Sequence, residues 1–284
     1  MTTLGPAVAG TWYPGDPSEL RDVVDDLFGG ASDVDDRPAR GVVAPHAGLV
    51  YSGAVAASAF ATWRGASPER VVLGGPSHHY GFTGLVVPRA DAIRTPLGVV
   101  PIDTDAIARL ARHPAVRRDD RPFGPEHALE IELPFLQRAL EDGWRVVPFL
   151  TGTDIHGTVA DELAEAILAA TGPDTPWVAS SDFTHHGPRF GYTPFVERIG
   201  EQVEDLDRSV LRPAEAIDVP AYEARLDETG ATVCGRHAIG LMLRAMPGGS
   251  RGVTVAYDTS GAKTGDWTHS VSYAAMHFRE PSAT

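Results

Sequence analysis

The 284-residue sequence predicts a single α/β domain with a largely parallel central sheet covered by helices on both faces. Two observations carry this. Short, near-continuous apolar runs such as "RGVVAPH", "RVVLGGPSHH", "WRVVPFL" and "PWVASSDFTHHG" recur along the chain, as expected of strands buried on both faces. Segments of helical period separate them, the alternation that builds parallel sheets. No internal repeat, low-complexity tract or linker intervenes, so residues 1–284 read as one domain.

The first helix is "DPSELRDVVDDLFGG". Asp16 can cap it, Pro17 suits its first turn and Glu19 sits three residues after the cap. Leu20, Val23, Val24, Leu27 and Phe28 then recur at helical spacing, and Gly29-Gly30 ends it. "RGVVAPH" is a strand running into His46, and "SGAVAASAFATW" a helix capped by Ser52. "RVVLGGPSHH" is the next strand. "EHALEIELPFLQRALEDG" reads as one helix bent near Pro134, since proline lacks the donor a helix interior needs. "WRVVPFL", "TVADELAEAILAATG" and "PWVASSDFTHHG" follow as strand, helix and strand. A helical region at about 194–211 and the helix "CGRHAIGLMLRAM" lead to closing strands "GVTVAYD" and "SVSYAAMHF".

Charge and composition narrow the function. A formal net charge of -14 argues against nucleic acid or an anionic membrane surface as partner, because both reward basic patches. The start "MTTLGPAVAGTWYPGDP" lacks a signal peptide's basic and apolar regions, and no run approaches a membrane span, so a cytoplasmic protein is expected. Cys234 is the single cysteine, which excludes an intramolecular disulfide and any cysteine-rich zinc site. Nucleotide-binding glycine motifs, the G-x-S-x-G elbow and H-E-x-x-H are absent.

In open parallel sheets ligands bind beyond the carboxyl ends of the strands. Three strand-like runs, "VVAPHAG", "VVLGGPSHH" and "VASSDFTHHG", end in histidine-bearing loops. His46, His78 and His185 can therefore converge on one rim, as metal ligands or proton carriers. Two histidines with a carboxylate suit non-heme Fe(II), while two with a thiolate could hold iron, copper or zinc. Cys234 precedes a glycine and a helix start, where thiolate is stabilised, so it suits a ligand or a nucleophile. Asp182 could orient a histidine or cap a turn. Glu126 reads as an acid in a helix first turn, and His127 beside it could face the site. His113, His156 and His277 read as structural, with His79, His186, His237 and His269 open.

"AGTWYPGDP", "APHAGLVYSGAVAASAF", "GGPSHHYGF", "EHALEIELPFLQ", "SSDFTHHG", "CGRHAIGLML" and "SVSYAA" occur in order from residue 9 to 275, and together they resemble the Memo family. The resemblance implies a fold like that of the class III extradiol ring-cleaving dioxygenases. It also implies a metal site of His46, His78 and Cys234, with Asp182, His185 and His127 lining the pocket. Departures from the family pattern are Leu49 in "PHAGLVYSG", Glu132 in "EIELP" where a histidine is common, and Thr184-His185-His186. The function expected is a metal-dependent redox enzyme using Fe(II) or copper, less so zinc. His185 or His127 would be its acid–base, oriented by Asp182. One alternative is a metal-independent cysteine hydrolase or amidase, with Cys234 activated by His46 or His78. The other is a pocket that binds a peptide or partner protein. In prokaryotes the family resemblance also suggests a pathway shared with radical SAM and AMMECR-type proteins.

Overall fold

The computed structural model describes residues 2–31 and 37–281. In chain order its strands are β1 (Thr3–Leu4), β2 (Gly41–Ala44), β3 (Arg70–Pro76), β4 (Leu85–Val87), β5 (Ala92–Thr95), β6 (Gly98–Pro101), β7 (Val116–Arg118), β8 (Arg145–Thr151), β9 (Trp177–Ser180), β10 (His185–His186), β11 (Arg251–Thr259) and β12 (Ser270–Arg279). The helices are α1 (Pro17–Gly29), α2 (Leu49–Phe60), α3 (Thr104–Leu110), α4 (Leu133–Ala139), α5 (Gly157–Thr171), α6 (Ile199–Ala216), α7 (Val219–Thr229), α8 (Arg236–Ala245) and α9 (Ser260–Thr264). Among the described residues no helix is long and apolar enough to cross a membrane.

One nine-stranded sheet organises the molecule, in the order β10-β12-β2-β9-β3-β8-β4-β7 with β11 on β12. Its centre, β2-β9-β3-β8, is parallel, as the continuous apolar runs require. The flanks turn it into a mixed sheet: β12 is antiparallel to both β2 and β11, and β4 is antiparallel to β8. A separate small sheet joins β1, β5 and β6. Helices α1, α2 and α4 pack on one another as one layer, and α3, α5, α8, α7 and α6 form a second chain of contacts. The core between them is mainly apolar, with Val42, Val43, Leu73, Phe149, Trp177 and Phe278 fully buried.

Local chemistry explains most element boundaries. Asp16 accepts hydrogen bonds from the Ser18 and Glu19 amides, so α1 starts where the sequence places it. Several boundaries differ from expectation: the helix read at about 194–211 is α6, Ile199–Ala216, and the strand read over "PWVASSDFTHHG" is β9 and β10 with a loop between them. Helix α2 begins at Leu49, so Ser52 lies inside it and its hydroxyl bonds the Ala47 carbonyl instead of capping. The segment read as one bent helix is irregular at residues 126–127, a turn at 128–129, a 3-10 turn over Glu130–Glu132 and then α4. Pro134 falls in the first turn of α4, where its missing donor costs nothing, so it opens that helix and bends none.

Candidate metal centre and cavity

The parallel register sets the carboxyl ends of β2 and β9 side by side, with Ala44 opposite Ser180, and β3 pairs with β9 on its other edge. The loops leaving these ends carry His46, His78, Asp182 and His185 toward one cavity of about 830 Å³, which they line together with His127. Two other histidines, His79 and His269, line it as well. Trp12, Tyr51, Phe190, Val271 and Tyr273 supply its apolar wall.

The tightest group in this cavity is His46, His78 and His127, whose potential ligand atoms all lie within 4.8 Å of one another. The rings of His78 and His127 stack at 4.7 Å, and His46 meets both edge-on at 5.2 and 5.5 Å. Trp12 lies against His127 with ring centroids 4.3 Å apart. Glu130 holds the segment around Trp12 by accepting hydrogen bonds from the Ala7 and Val8 amides and the Tyr13 hydroxyl.

Outer partners choose the tautomers. Ser180 Oγ is 2.7 Å from His46 Nδ1, 2.7 Å from Glu132 Oε1 and 2.6 Å from the Ala128 carbonyl. A hydroxyl has one proton, and here an acceptor oxygen takes it, so His46 Nδ1–H donates to Oγ and Nε2 is left bare. His78 Nδ1 lies 2.9 Å from Glu126 Oε1, and the same carboxylate accepts from the amides of His78 at 2.6 Å and of His127 and Ala128 at 2.9 Å. Burial pulls the Glu126 carboxyl upward, but the His78 ring and these amides overcome it and hold the group below its usual range. Glu126 is therefore a charged acceptor that fixes Nδ1–H on His78 and leaves its Nε2 bare. This is the outer support seen behind metal-binding histidines.

Burial also keeps the His46 and His127 imidazoles neutral. It pushes His46 well below its ordinary value, with the neighbouring histidines adding to the effect. It pushes His127 down to about 4, and Glu126, 3.5 Å away, restores only part of the loss. Neutral imidazole with a bare nitrogen is the form that ligates metals. These residues thus fit a metal such as the one expected from the sequence.

Cys234 is placed differently from His127. It lies outside that triad, with Sγ 3.2 Å from His46 Nε2 and accepting from the Asp182 amide at 3.2 Å. Burial drives its thiol far above the usual range, with the Asp182 carboxylate adding to the effect. Desolvation outweighs the nearby start of α8, so the protein environment favours thiol over thiolate. Gly235 makes this approach possible: a Cβ there would stand 2.4 Å from the Ser180 carbonyl oxygen.

Asp182 accepts from the His46 amide at 2.9 Å, and burial raises its carboxyl to about 7 against the pull of that bond. His185 Nδ1 contacts two carbonyls, Phe183 at 2.8 Å and Thr232 at 3.0 Å, so it carries the proton and Nε2 is bare. Glu132 is fully buried; desolvation holds it well above the carboxylate range, and Oε2 has no hydrogen-bond partner. It faces Ser180 behind His46 and does not line the cavity. His186 bonds the carbonyls of Trp267 and Phe195 and ties down a loop.

Sequence reasoning read Glu126 only as an acid in a helix first turn and passed over Ser180 and Trp12. The one available signal was an acid adjoining a candidate ligand in "PEHALE", disguised by the expectation of a helix that begins only later.

Comparison with known proteins finds relatives along nearly the whole chain. The model of the family described as "Memo-like protein" matches residues 5–277. A MEMO1 family protein of Methanopyrus kandleri is 36% identical, with 96% of this chain and 98% of the relative covered. One from Aquifex aeolicus is 31% identical over 98% of this chain and 100% of the relative. Protein MEMO1 of Xenopus laevis is 33% identical over 84% and 82%. With matched motifs running almost end to end on a single α/β domain, the chain belongs to the Memo family.

Proposed function

We propose that this protein is a metal-dependent redox enzyme, with one ion held by His46, His78 and His127 and a small organic substrate in the cavity beside them. The observation that carries this is the convergence of three imidazoles, two of them with tautomers fixed by Ser180 and Glu126 so that Nε2 is bare. Imidazole sets suit iron, copper and zinc alike. Fe(II) or copper is preferred here because the site lies in a fold expected to resemble the extradiol dioxygenases. A bound iron or copper would supply Lewis-acid and redox chemistry at the cavity wall.

The remaining residues handle protons and position substrate. His185 can accept a proton at Nε2, because its Nδ1–H is already committed to backbone carbonyls. Asp182, raised to about 7, lines the same cavity and can exchange a proton near neutrality. Tyr51, Phe190 and Tyr273 give an apolar face against which a substrate body can rest. The metal-free cysteine hydrolase is the weaker reading: Cys234 is not among the lining residues, and burial opposes its thiolate. We place the activity in the cytoplasm, in a pathway with radical SAM and AMMECR-type proteins; co-purification with the tagged chain tests that partnership.

The direct test is metal content after anaerobic loading with Fe(II) or Cu(I). Wild type should hold about one ion per chain, and folded His46→Ala, His78→Ala and His127→Ala should each lose it. Cys234→Ser should retain it. Loss in Cys234→Ser with retention in His127→Ala would make the thiolate the third ligand. A wild type that takes up no metal would end the redox reading, and binding assays with peptides would then test the pocket as a recognition module.

A further inference from the structure

Arg189 stands out among the cavity residues. It sits four residues after His185, on the 3-10 turn Pro188–Phe190 between Gly187 and Gly191. Amide bonds from Phe190 to the Gly187 carbonyl and from Gly191 to the Pro188 carbonyl shape this turn, and Gly187 and Tyr192 bond each other. The side chain is exposed, lines the cavity and has no hydrogen bond or ion pair among the described residues. It is the one arginine or lysine among the described residues lining this cavity. Some arginines elsewhere pair with carboxylates, as Arg138 does with Asp25, Arg236 with Asp227 and Arg244 with Glu223. Asp266 lines the same cavity, yet its carboxylate is engaged by Thr268 and not by Arg189.

We propose that Arg189 recognises a carboxylate on the ligand of this cavity, so that the substrate class is a small organic acid with an aromatic or aliphatic body. Guanidinium presents a planar fork of donors that matches a carboxylate with two parallel hydrogen bonds. The apolar surface of Tyr51, Phe190, Val271 and Tyr273 receives the body. Asp182 and Asp266 on the same walls favour a singly charged group over a phosphate dianion, which they would repel more strongly. The proposal deepens the enzyme reading by naming its substrate class. It is tested on the chelated protein, so that an acid cannot bind through a metal.

Isothermal titration of the full-length, EDTA-treated chain with 3-phenylpropanoate and 3-phenylpropanamide compares a carboxylate with a neutral probe of equal size. Wild type should bind the carboxylate about tenfold more tightly at low salt. Arg189→Gln should abolish that preference while leaving amide binding and the melting temperature unchanged, and Arg189→Lys should keep part of it. The proposal is overturned by equal binding of the two probes, by no binding of either at millimolar concentration, or by a preference that survives Arg189→Gln. Tighter binding of phenyl phosphate than of 3-phenylpropanoate would also overturn it. Metal content of Arg189→Gln should equal that of wild type. Loss of the metal reading would show in the histidine variants alone and leave the carboxylate preference standing or falling by itself.

Discussion

Replacing Glu126 with alanine should damage both stability and metal affinity, because one buried carboxylate serves four donors. It accepts the His78 amide at 2.6 Å, and the His78 ring and the His127 and Ala128 amides at 2.9 Å each. Alanine removes all four bonds at once, and the Ala128 amide, being in a buried residue, cannot turn to bulk water. Net loss of a charge-assisted bond is worth about 1.5–3 kcal/mol, and orphaning a buried charged network costs about 3–5 kcal/mol, so we expect a loss near the upper figure. Glutamine is the informative control. Its carbonyl can replace Oε1, which serves three donors, but its NH2 then faces the His78 amide. Glu126→Gln should therefore lose only about 1–3 kcal/mol. Because His78 would no longer be held in its tautomer, metal affinity should fall about 10–100-fold in the alanine variant. Urea unfolding of the metal-free protein and chelator competition for the metal measure the two effects. A stability loss under about 1 kcal/mol together with unchanged metal affinity would refute this account of how His78 is positioned.

Three further outcomes are expected. His127 has a folded-state value depressed to about 4, so its contribution is complete above its unfolded value and disappears as pH falls from about 6.5 towards 4. The stability difference between metal-free wild type and His127→Gln should shrink across that window by an amount on the order of 3 kcal/mol, measured by urea unfolding; a constant difference would contradict it. Gly235→Ala should cost about 1–3 kcal/mol or more and displace Cys234, because the new Cβ would stand 2.4 Å from the Ser180 carbonyl oxygen, a backbone atom with no easy retreat; a melting temperature matching wild type argues against the close approach. Iodoacetamide at pH 8 should label Cys234 at least about tenfold more slowly than free cysteine, since the thiol is held far above its usual range; rapid labelling would revive the nucleophile reading.

Local sequence determined a good deal here. Apolar runs of strand length marked β2, β3, β8 and β9, and the Asp16 cap with its Pro17 marked the start of α1, because these signals are read over a few neighbouring residues. Short or weakly patterned pieces escaped, among them β4 to β7, α3 and α7, since a three- or four-residue strand carries too little periodicity to be distinguished. Histidines at successive strand ends gave the region of the site, because parallel strands must deliver their following loops to one edge. Tertiary structure alone decided which candidate ligands meet. His46, His78 and His127 come from three segments whose distances depend on cross-strand register and on an irregular segment where a helix was expected. The same holds for charge state. Whether Glu126 is ionised, Cys234 a thiol and Asp182 poised near 7 follows from burial and from partners far away in the chain, which no window of sequence contains.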